Sequence, residues 1–463
     1  MFHKDIYVQR RNKLTKLVNN GIVLLLGNTD VPMNYASNVY HWRQDSTFLY
    51  FFGLDYQNMA AVIDTDNGTE HLFGNDVSLD DIIWMGPQIS TAEKAQACGV
   101  SSHHPYSKLQ DVVAGALKSG RKVHFLPPYR AENKILLESL TGIKPAQQKE
   151  KASTELIKAV VALRSVKDEF EIAELEKGMD TAWLMHTTAM KMARPGVYER
   201  EIAGAIEGIA LAAGGMLSFP AIVSRRGETL HNHYHGNKLE KNDLLLVDTG
   251  AETSLHYATD HSRTTPVGGK FTPKQKDIYQ AVLEAQVLSI ESMKPGATNL
   301  SAHLLAAETL ANRLKDLGLM KGDISSAVQQ GAHALFMPHG LGHMMGLDVH
   351  DMEDLGENYV GYDDEVKRSD IFGTAFLRLG RKYQPGFVLT VEPGCYFIPA
   401  LIDQWQGEGK FREYINYDKV NEYRDFGGIR IEDDILITDT GYKMLGKPIP
   451  KTVEEVEEIA GKD

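Results

Sequence analysis

Cysteine is nearly absent: Cys98 and Cys395 are the only two in 463 residues. Two thiols cannot make the disulfide framework of a small secreted domain, and their scarcity fits a reducing compartment. Long hydrophobic runs are missing as well. No window approaches the roughly 18 uninterrupted apolar residues that a membrane-spanning helix needs. The opening residues, Met1-Phe-His-Lys-Asp-Ile-Tyr-Val-Gln-Arg-Arg-Asn-Lys13, carry charge but lack the apolar core of a signal peptide. Basic residues are in deficit, 49 Lys and Arg against 62 Asp and Glu, for a net charge of −13. That balance argues against a nucleic-acid-binding surface. The expectation is a cytoplasmic protein with neither a membrane nor a nucleic acid as partner.

What is present is enough apolar material for more than one core. A chain of 463 residues with 43% hydrophobic content exceeds what a single core holds. The pattern divides it into a smaller domain over residues 1–155 and a larger one over 156–463. In the first, an amphipathic helix over 7–19 precedes a buried strand, Gly21-Ile-Val-Leu-Leu-Leu-Gly27. Strand-like runs at 59–64 and 122–127 then alternate with helical stretches at 107–119 and 130–141, which predicts an α/β domain. The segment from Leu156 to Lys177 marks the passage into the second domain, with Ser165 and Glu169 as a loose helix-cap signal. Beyond it runs a weak internal repeat. Met192-Ala-Arg-Pro-Gly196 and Met293-Lys-Pro-Gly296 each precede an Ala-rich helix that ends in glycine, at Gly214 and Gly318. The fold class is therefore α/β (α+β), with a duplicated half in the second domain.

The chemistry concentrates around Leu244-Leu-Leu-Val-Asp-Thr-Gly250 and Tyr257-Ala-Thr-Asp-His-Ser-Arg-Thr264. These read as the two arms of a β-hairpin. Folded near residue 254, the hairpin would place Asp248 and Asp260 opposite each other, with Cβ atoms roughly 4.5–5.5 Å apart. Carboxylates that close repel unless a proton or a cation intervenes. Downstream, Met337-Pro-His-Gly-Leu-Gly-His-Met-Met-Gly-Leu-Asp-Val-His-Asp351 carries His339, His343 and His350. Glu392 ends the β-type run Val388-Leu-Thr-Val, and Glu432 alternates with isoleucines in Gly427-Gly-Ile-Arg-Ile-Glu-Asp-Asp-Ile-Leu-Ile-Thr438. Charges embedded singly in apolar sequence are costly to bury. Together, four carboxylates match the charge of two divalent ions, and an oxygen-rich donor set with one imidazole suits Mn²⁺, Fe²⁺ or Co²⁺ better than a thiolate zinc site.

These segments resemble the pita-bread dinuclear metallopeptidases, specifically the Xaa-Pro aminopeptidase (aminopeptidase P) and prolidase family. The resemblance implies that Asp248, Asp260, His343, Glu392 and Glu432 ligate two divalent ions, most simply Mn²⁺, with Co²⁺, Fe²⁺ or Zn²⁺ as alternatives. The two Asp stand one residue further apart than is usual in the family, an extra residue assigned to the hairpin turn. Within Thr229-Leu-His-Asn-His-Tyr-His235, His231 matches the family's spacing to the first Asp and His233 matches its His-Tyr pair. Either is a candidate to face the substrate. By resemblance His339 and His350 line the pocket and support the charge that develops on the scissile carbonyl oxygen. Arg430, two residues before Glu432, would share its strand face and either orient the ligands or pair with an acid. Asp348 and Asp351 are candidates to orient histidines or to cap loops. The segment Arg43-Gln-Asp-Ser-Thr-Phe-Leu-Tyr-Phe-Phe-Gly53 is similar to the aminopeptidase P amino-terminal domain, with Thr47 where the family often has Asp.

The implied architecture is a smaller N-terminal α/β domain followed by a pita-bread domain with pseudo-two-fold symmetry. The implied reaction is hydrolysis of an Xaa-Pro bond by hydroxide held between two metals, with Glu392 shuttling the proton. A peptide with proline at the second position is the expected substrate, and a homodimer or homotetramer the expected assembly. The amino-terminal segment favours the aminopeptidase over a prolidase restricted to dipeptides. A non-enzymatic pita-bread binding module is a distant third reading that the ligand set opposes. Insertions near 352–380 and 399–426 are expected to be lids or subunit contacts.

Overall fold

A strand that is apolar on both faces is stable only where both are covered. In a computed structural model of the chain, which describes residues 1–462, Gly21–Leu26 is accordingly an inner strand of a five-stranded sheet. It pairs antiparallel with Ala60–Asp64 and parallel with Lys122–His124. Glu70–Gly74 and Ser102–Pro105 extend the sheet on the other side. The Arg43–Gly53 segment is explained within this unit. Asp45 caps the Ser46–Phe52 helix by accepting from Phe48 N at 2.9 Å, and the helix buries Phe48, Phe51 and Phe52. The Gln44 side chain accepts from Asn28 N at 2.8 Å and donates to Leu54 O and Tyr56 O, tying the helix to the sheet. Thr47 Oγ1 accepts from Arg164 at 3.0 Å. The unit comprises residues 1–164 with 354–359; residues 165–353 and those from 360 onward form the other.

The second unit is built twice from the same parts. Helices Glu169–Met192 and Glu199–Ala212 precede one antiparallel sheet, His261–Pro266, Leu244–Thr249 and Ile222–Ser224. Helices Pro273–Glu291 and Asn299–Asp316 precede another, Val388–Val391, Asp433–Ile437 and Tyr442–Met444. The Pro-Gly turns occupy equivalent places. Gly196 and Gly296 both take positive φ, 97° and 86°, and each turn is followed by an isolated bridge, Tyr198 to Lys238 and Thr298 to Lys382. One cap differs from expectation. Ser165 ends the Thr154–Ser165 helix, so Asp168 caps the next one, accepting from Phe170 N and Glu171 N.

Within the Leu244–Thr249 strand the period of two decides which side chains look inward. Leu245 and Val247 pack on Met185, Ile202 and Ile206 of the helices, whereas Leu246 packs on Ile222 and Tyr396. Asp248 lies on the Leu246 face by alternation. The register corrects the expectation for its partner: Asp248 stands opposite Ser262, and His261 opposite Thr249. The hairpin turns around residue 255 rather than 254, with Glu252 bridged to Ala258 and Thr253 N bonded to Tyr257 O at 2.9 Å. Asp260 is therefore a diagonal neighbour of Asp248 on the same face. The insertions are partly helical: Glu357–Val360 lies in the first, Pro399–Glu408 and Tyr417–Asn421 in the second. No helix among the described residues is long and apolar enough to cross a membrane.

Candidate metal centre

Four carboxylates converge from strand ends, where the chain leaves a rigid ladder and the next side chain is held in place. Asp248 is the penultimate residue of its strand, Asp260 immediately precedes His261–Pro266, and Glu392 immediately follows Val388–Val391. Glu432 lies in the gap between Gly428–Arg430 and Asp433–Ile437, so Arg430 and Glu432 do not share a continuous strand as expected. His343 is brought in by a segment that runs beside the Val388–Val391 strand. Thr390 N bonds to His343 O at 3.0 Å, and His343 N to Thr390 Oγ1 at 3.1 Å. This approach is why Gly342 stands before the histidine, since a Cβ there would lie 1.9 Å from Thr390 O. Gly250, two residues after Asp248, is required for the same reason, with Thr259 O 1.7 Å from an added Cβ.

Asp260, His343 and Glu432 each offer one donor atom, all within 4.8 Å of one another. His343 Nε2 lies 3.4 Å from Asp260 Oδ2 and 3.6 Å from Glu392 Oε1. Its other nitrogen, Nδ1, faces Met344 O at 3.0 Å. An Nδ1–H donated to that carbonyl leaves the Nε2 lone pair directed at the carboxylates, the tautomer a metal ligand requires.

The electrostatics call for protons or a cation among these acids. Burial raises the carboxyl of Asp260 well above its ordinary range, and the charge of Asp248 adds to it. Glu432 is raised well above its own for the same reason, burial first and then Asp260 and Glu392. Glu392 is pushed up to about 7 by burial, although His343 and Arg430 oppose the rise. Acids this close cannot all ionise without neutralising charge. Asp248 Oδ1 and Asp260 Oδ1 are also buried with no hydrogen-bond partner among the described residues. Orphaned carboxylate oxygens and an oriented imidazole fit two divalent ions, and the absence of thiolate favours oxygen-preferring metals.

Around the ligands runs a hydrogen-bond network. Arg430 Nη2 donates to Asp248 Oδ2 at 2.5 Å, its Nε to Ser262 Oγ at 2.9 Å, and its Nη1 to Tyr396 OH at 2.9 Å. Ser262 Oγ in turn donates to Glu432 Oε2 at 2.8 Å. Arg430 thus pairs with an acid, and that acid is itself one of the candidate ligands. On the other side, Asp434 Oδ2 accepts from Asp260 N at 3.0 Å. Arg263 braces the strand break by donating to Glu432 O at 2.6 Å and pairing with Asp433 at 2.6 Å.

His339, His350 and His231 gather at the same place. Both nitrogens of His339 are engaged, with Gly340 O and Tyr396 OH each at 2.8 Å, and burial depresses it to about 4. The His350 ring stands edge-on to His343, centroids 4.2 Å apart, with Nδ1 at 2.5 Å from Glu353 Oε2. His231 lies within electrostatic reach of Arg430 and Asp248, burial and Arg430 together lowering its pKa. His233 is exposed. Asp351 pairs with buried Lys167 at 2.8 Å, and Asp348 N bonds to Asp351 Oδ1 at 3.3 Å. Four residues at the site escaped the sequence reading: Ser262, Tyr396, Glu353 and Arg378. The charge of Arg378 adds to burial in disfavouring protonation of His339, His343 and His350. Strand alternation could have found Ser262, opposite Asp248. Arg378 lies in an insertion and left no periodic signal.

Residues 173–439 match metallopeptidase family M24, and residues 7–124 match the aminopeptidase P N-terminal domain. The chain is 32% identical to the Xaa-Pro dipeptidase of Homo sapiens, over 97% of this chain and 90% of that protein. It is 30% identical to a probable Xaa-Pro aminopeptidase of Podospora anserina, over 95% and 92%. Among solved structures it superposes on Escherichia coli aminopeptidase P, both the zinc-substituted form in complex with product and the form with the inhibitor Pro-Leu. Each comparison has a TM-score of 0.80 at 28% identity, covering 99% of this chain and 98% of that one.

Proposed function

The chain belongs to metallopeptidase family M24, within its Xaa-Pro aminopeptidase and dipeptidase group, with the pita-bread fold and a dinuclear metal site; on that premise we propose that it is an Xaa-Pro aminopeptidase, releasing the N-terminal residue from peptides with proline second. The single observation that carries the chemistry is the buried convergence of four carboxylates on His343. Asp248, Asp260, His343, Glu392 and Glu432 would hold the metals, for which the oxygen-rich set favours Mn²⁺. When bound, two such ions supply a water acidic enough to attack near neutral pH and polarise the scissile carbonyl.

The chain's own residues do the rest. Glu392, whose Oε1 lies 3.6 Å from His343 Nε2, takes the proton of the attacking water and returns it to the leaving proline nitrogen. His350 is the better placed of the two to meet the developing oxyanion, donating there only as the protonated ring, because its Nε2 has no hydrogen bond to another described residue while both His339 nitrogens are engaged. His339 forms the pocket wall. His231 faces the substrate, since it is the histidine of its segment within reach of Asp248 and Arg430. Arg430 and Ser262 keep Asp248 and Glu432 in register. A proline nitrogen carries no hydrogen, so recognition rests on shape around the ring rather than on a bond from the scissile amide. A cytoplasmic setting and a homodimer or homotetramer complete the proposal.

A second reading, dipeptidase activity alone, is favoured by one residue. Arg378 puts a guanidinium beside the site histidines, where it could clamp the carboxylate of a C-terminal proline. Hydrolysis of Gly-Pro and of an Xaa-Pro-Yaa peptide, side by side with Mn²⁺ and then with chelator, separates the two. The aminopeptidase cuts the longer peptide and frees its first residue; cleavage of Gly-Pro alone overturns that reading, and activity surviving chelation overturns the metal site.

A further inference from the structure

A second group of nitrogen donors lies in the first unit, on the two strands at one end of its five-stranded sheet. Ser102–Pro105 is the edge strand and pairs in parallel with Glu70–Gly74, His71 opposite Ser102 and Phe73 opposite His104. Alternation puts His71, Ser102 and His104 on one face, and their polar atoms meet there. His71 Nδ1 lies 3.1 Å from His104 Nε2 and 3.1 Å from Ser102 Oγ, and Ser102 Oγ lies 3.0 Å from His104 Nε2. Both rings are half-buried, and His104 is stacked on Phe73 with centroids 5.4 Å apart.

The surrounding hydrogen bonds decide where the protons are. Thr69 Oγ1 gives its own hydrogen to Asn67 Oδ1 at 2.7 Å, so toward His71 Nε2, at 3.3 Å, it can only accept. Neutral His71 therefore carries its proton on Nε2 and turns the Nδ1 lone pair into the triangle. Burial and the neighbouring His104 lower the pKa of His71 against the charge of Asp64, which favours that neutral form. His104 Nδ1 bonds to no other described residue, so this ring can hold its proton there and offer Nε2 as well. Donor atoms about 2.0–2.1 Å from one ion stand roughly 2.8–3.4 Å apart, from octahedral to tetrahedral angles, and the triangle has that spacing.

We propose that His71, His104 and Ser102 form a further metal site, mononuclear and sharing no ligand with the carboxylate centre, for an imidazole-preferring divalent ion of the Zn²⁺, Ni²⁺ or Cu²⁺ class. The two imidazoles are its principal donors, the Ser102 hydroxyl completes one face, and water takes the remaining positions. Its selectivity is opposite to that of the carboxylate centre, whose oxygen-rich set favours Mn²⁺. Bound across two strands, the ion ties the edge strand to its neighbour, and binding to the folded state alone stabilises the first unit.

The test counts zinc in the full chain. Wild type, His71→Ala and His104→Phe are brought to equilibrium with Zn²⁺ by dialysis and assayed for zinc per chain; phenylalanine keeps the stacking on Phe73. Thermal midpoints of the metal-free proteins and Mn²⁺ content after loading with Mn²⁺ alone are measured beside them. Wild type holds one Zn²⁺ per chain more than either variant, while midpoint and Mn²⁺ content stay near those of wild type. Anomalous diffraction at the zinc edge shows a peak about 2.0–2.1 Å from His71 Nδ1 and His104 Nε2 in wild type. Equal zinc in wild type and both variants overturns the proposal, and so does zinc that is lost only together with Mn²⁺ content and midpoint. Neither count depends on which peptide the protein cleaves, so the proposed activity and this site fail independently.

Discussion

Replacing Glu392 with glutamine in the metal-free protein should stabilise it, and only at the higher pH. Burial lifts the Glu392 carboxyl from an ordinary 4.5 to about 7. A carboxylate raised on folding binds its proton more tightly in the folded state. It therefore costs nothing below about pH 4.5 and destabilises progressively as pH rises toward and past 7. At about 1.4 kcal/mol per pH unit, ionising this one group costs roughly 3 kcal/mol by pH 8. Glutamine is neutral at every pH and nearly isosteric, so it removes that cost. For a domain of this size the gain amounts to about 5 °C in the unfolding midpoint. The buried histidines titrate in the opposite sense, His339 and His186 both being lowered to about 4, but they are common to both proteins and cancel in the difference. The assay is thermal unfolding of chelator-stripped wild type and Glu392→Gln at pH 5 and pH 8. The variant should nearly match wild type at pH 5, exceed it at pH 8, and lose its advantage when Mn²⁺ is restored, since only wild type then holds the ions with all five candidate ligands. An equal offset at both pH values, or a less stable variant at pH 8, would refute the claim that uncompensated carboxylates crowd this site.

Two further outcomes follow from the network around the metal centre. Ser262→Ala removes the hydroxyl that accepts from Arg430 and donates to Glu432. Leaving those buried partners unpaired should cost about 1–3 kcal/mol in chemical denaturation and weaken Mn²⁺ binding about ten- to a hundredfold by calorimetry. Lys167→Met leaves Asp351 as an uncompensated buried charge beside His350; both side chains of this pair are 1% exposed. Breaking a buried pair from one side should cost about 3–5 kcal/mol. The double variant Lys167→Met with Asp351→Leu should recover part of that loss, and the comparison is read from denaturation midpoints.

The candidate ligand set was legible because its acids sit where an apolar period meets a charge. Asp248, Glu392 and Glu432 follow runs of Leu, Val, Thr and Ile that have no reason to end in an acid unless the acid is used. The glycines flanking His343 were legible too, although their reason was not: only the strand running beside Gly342 shows that a Cβ would strike Thr390 O. The duplicated helix–turn–helix units could be read from two Pro-Gly turns, since the turn chemistry is local. The hairpin register could not. A turn centred one position later exchanges Asp260 for Ser262 opposite Asp248, and the residue types of 250–256 do not distinguish the two centrings.

The sequence by itself determined the residue types, their order and the charge they must share, which together specify a buried, oxygen-rich site for divalent cations and the family to which it belongs. Those properties are carried by single positions and short periods, so they survive without coordinates. Tertiary structure alone decided the partners: that Arg430 reaches Asp248 across 182 positions of chain, that Ser262 bridges to Glu432, and that Arg378 emerges from an insertion to stand among the histidines. Such contacts join segments far apart along the chain, and a hydrogen bond depends on where two strands stop rather than on what precedes either atom in sequence.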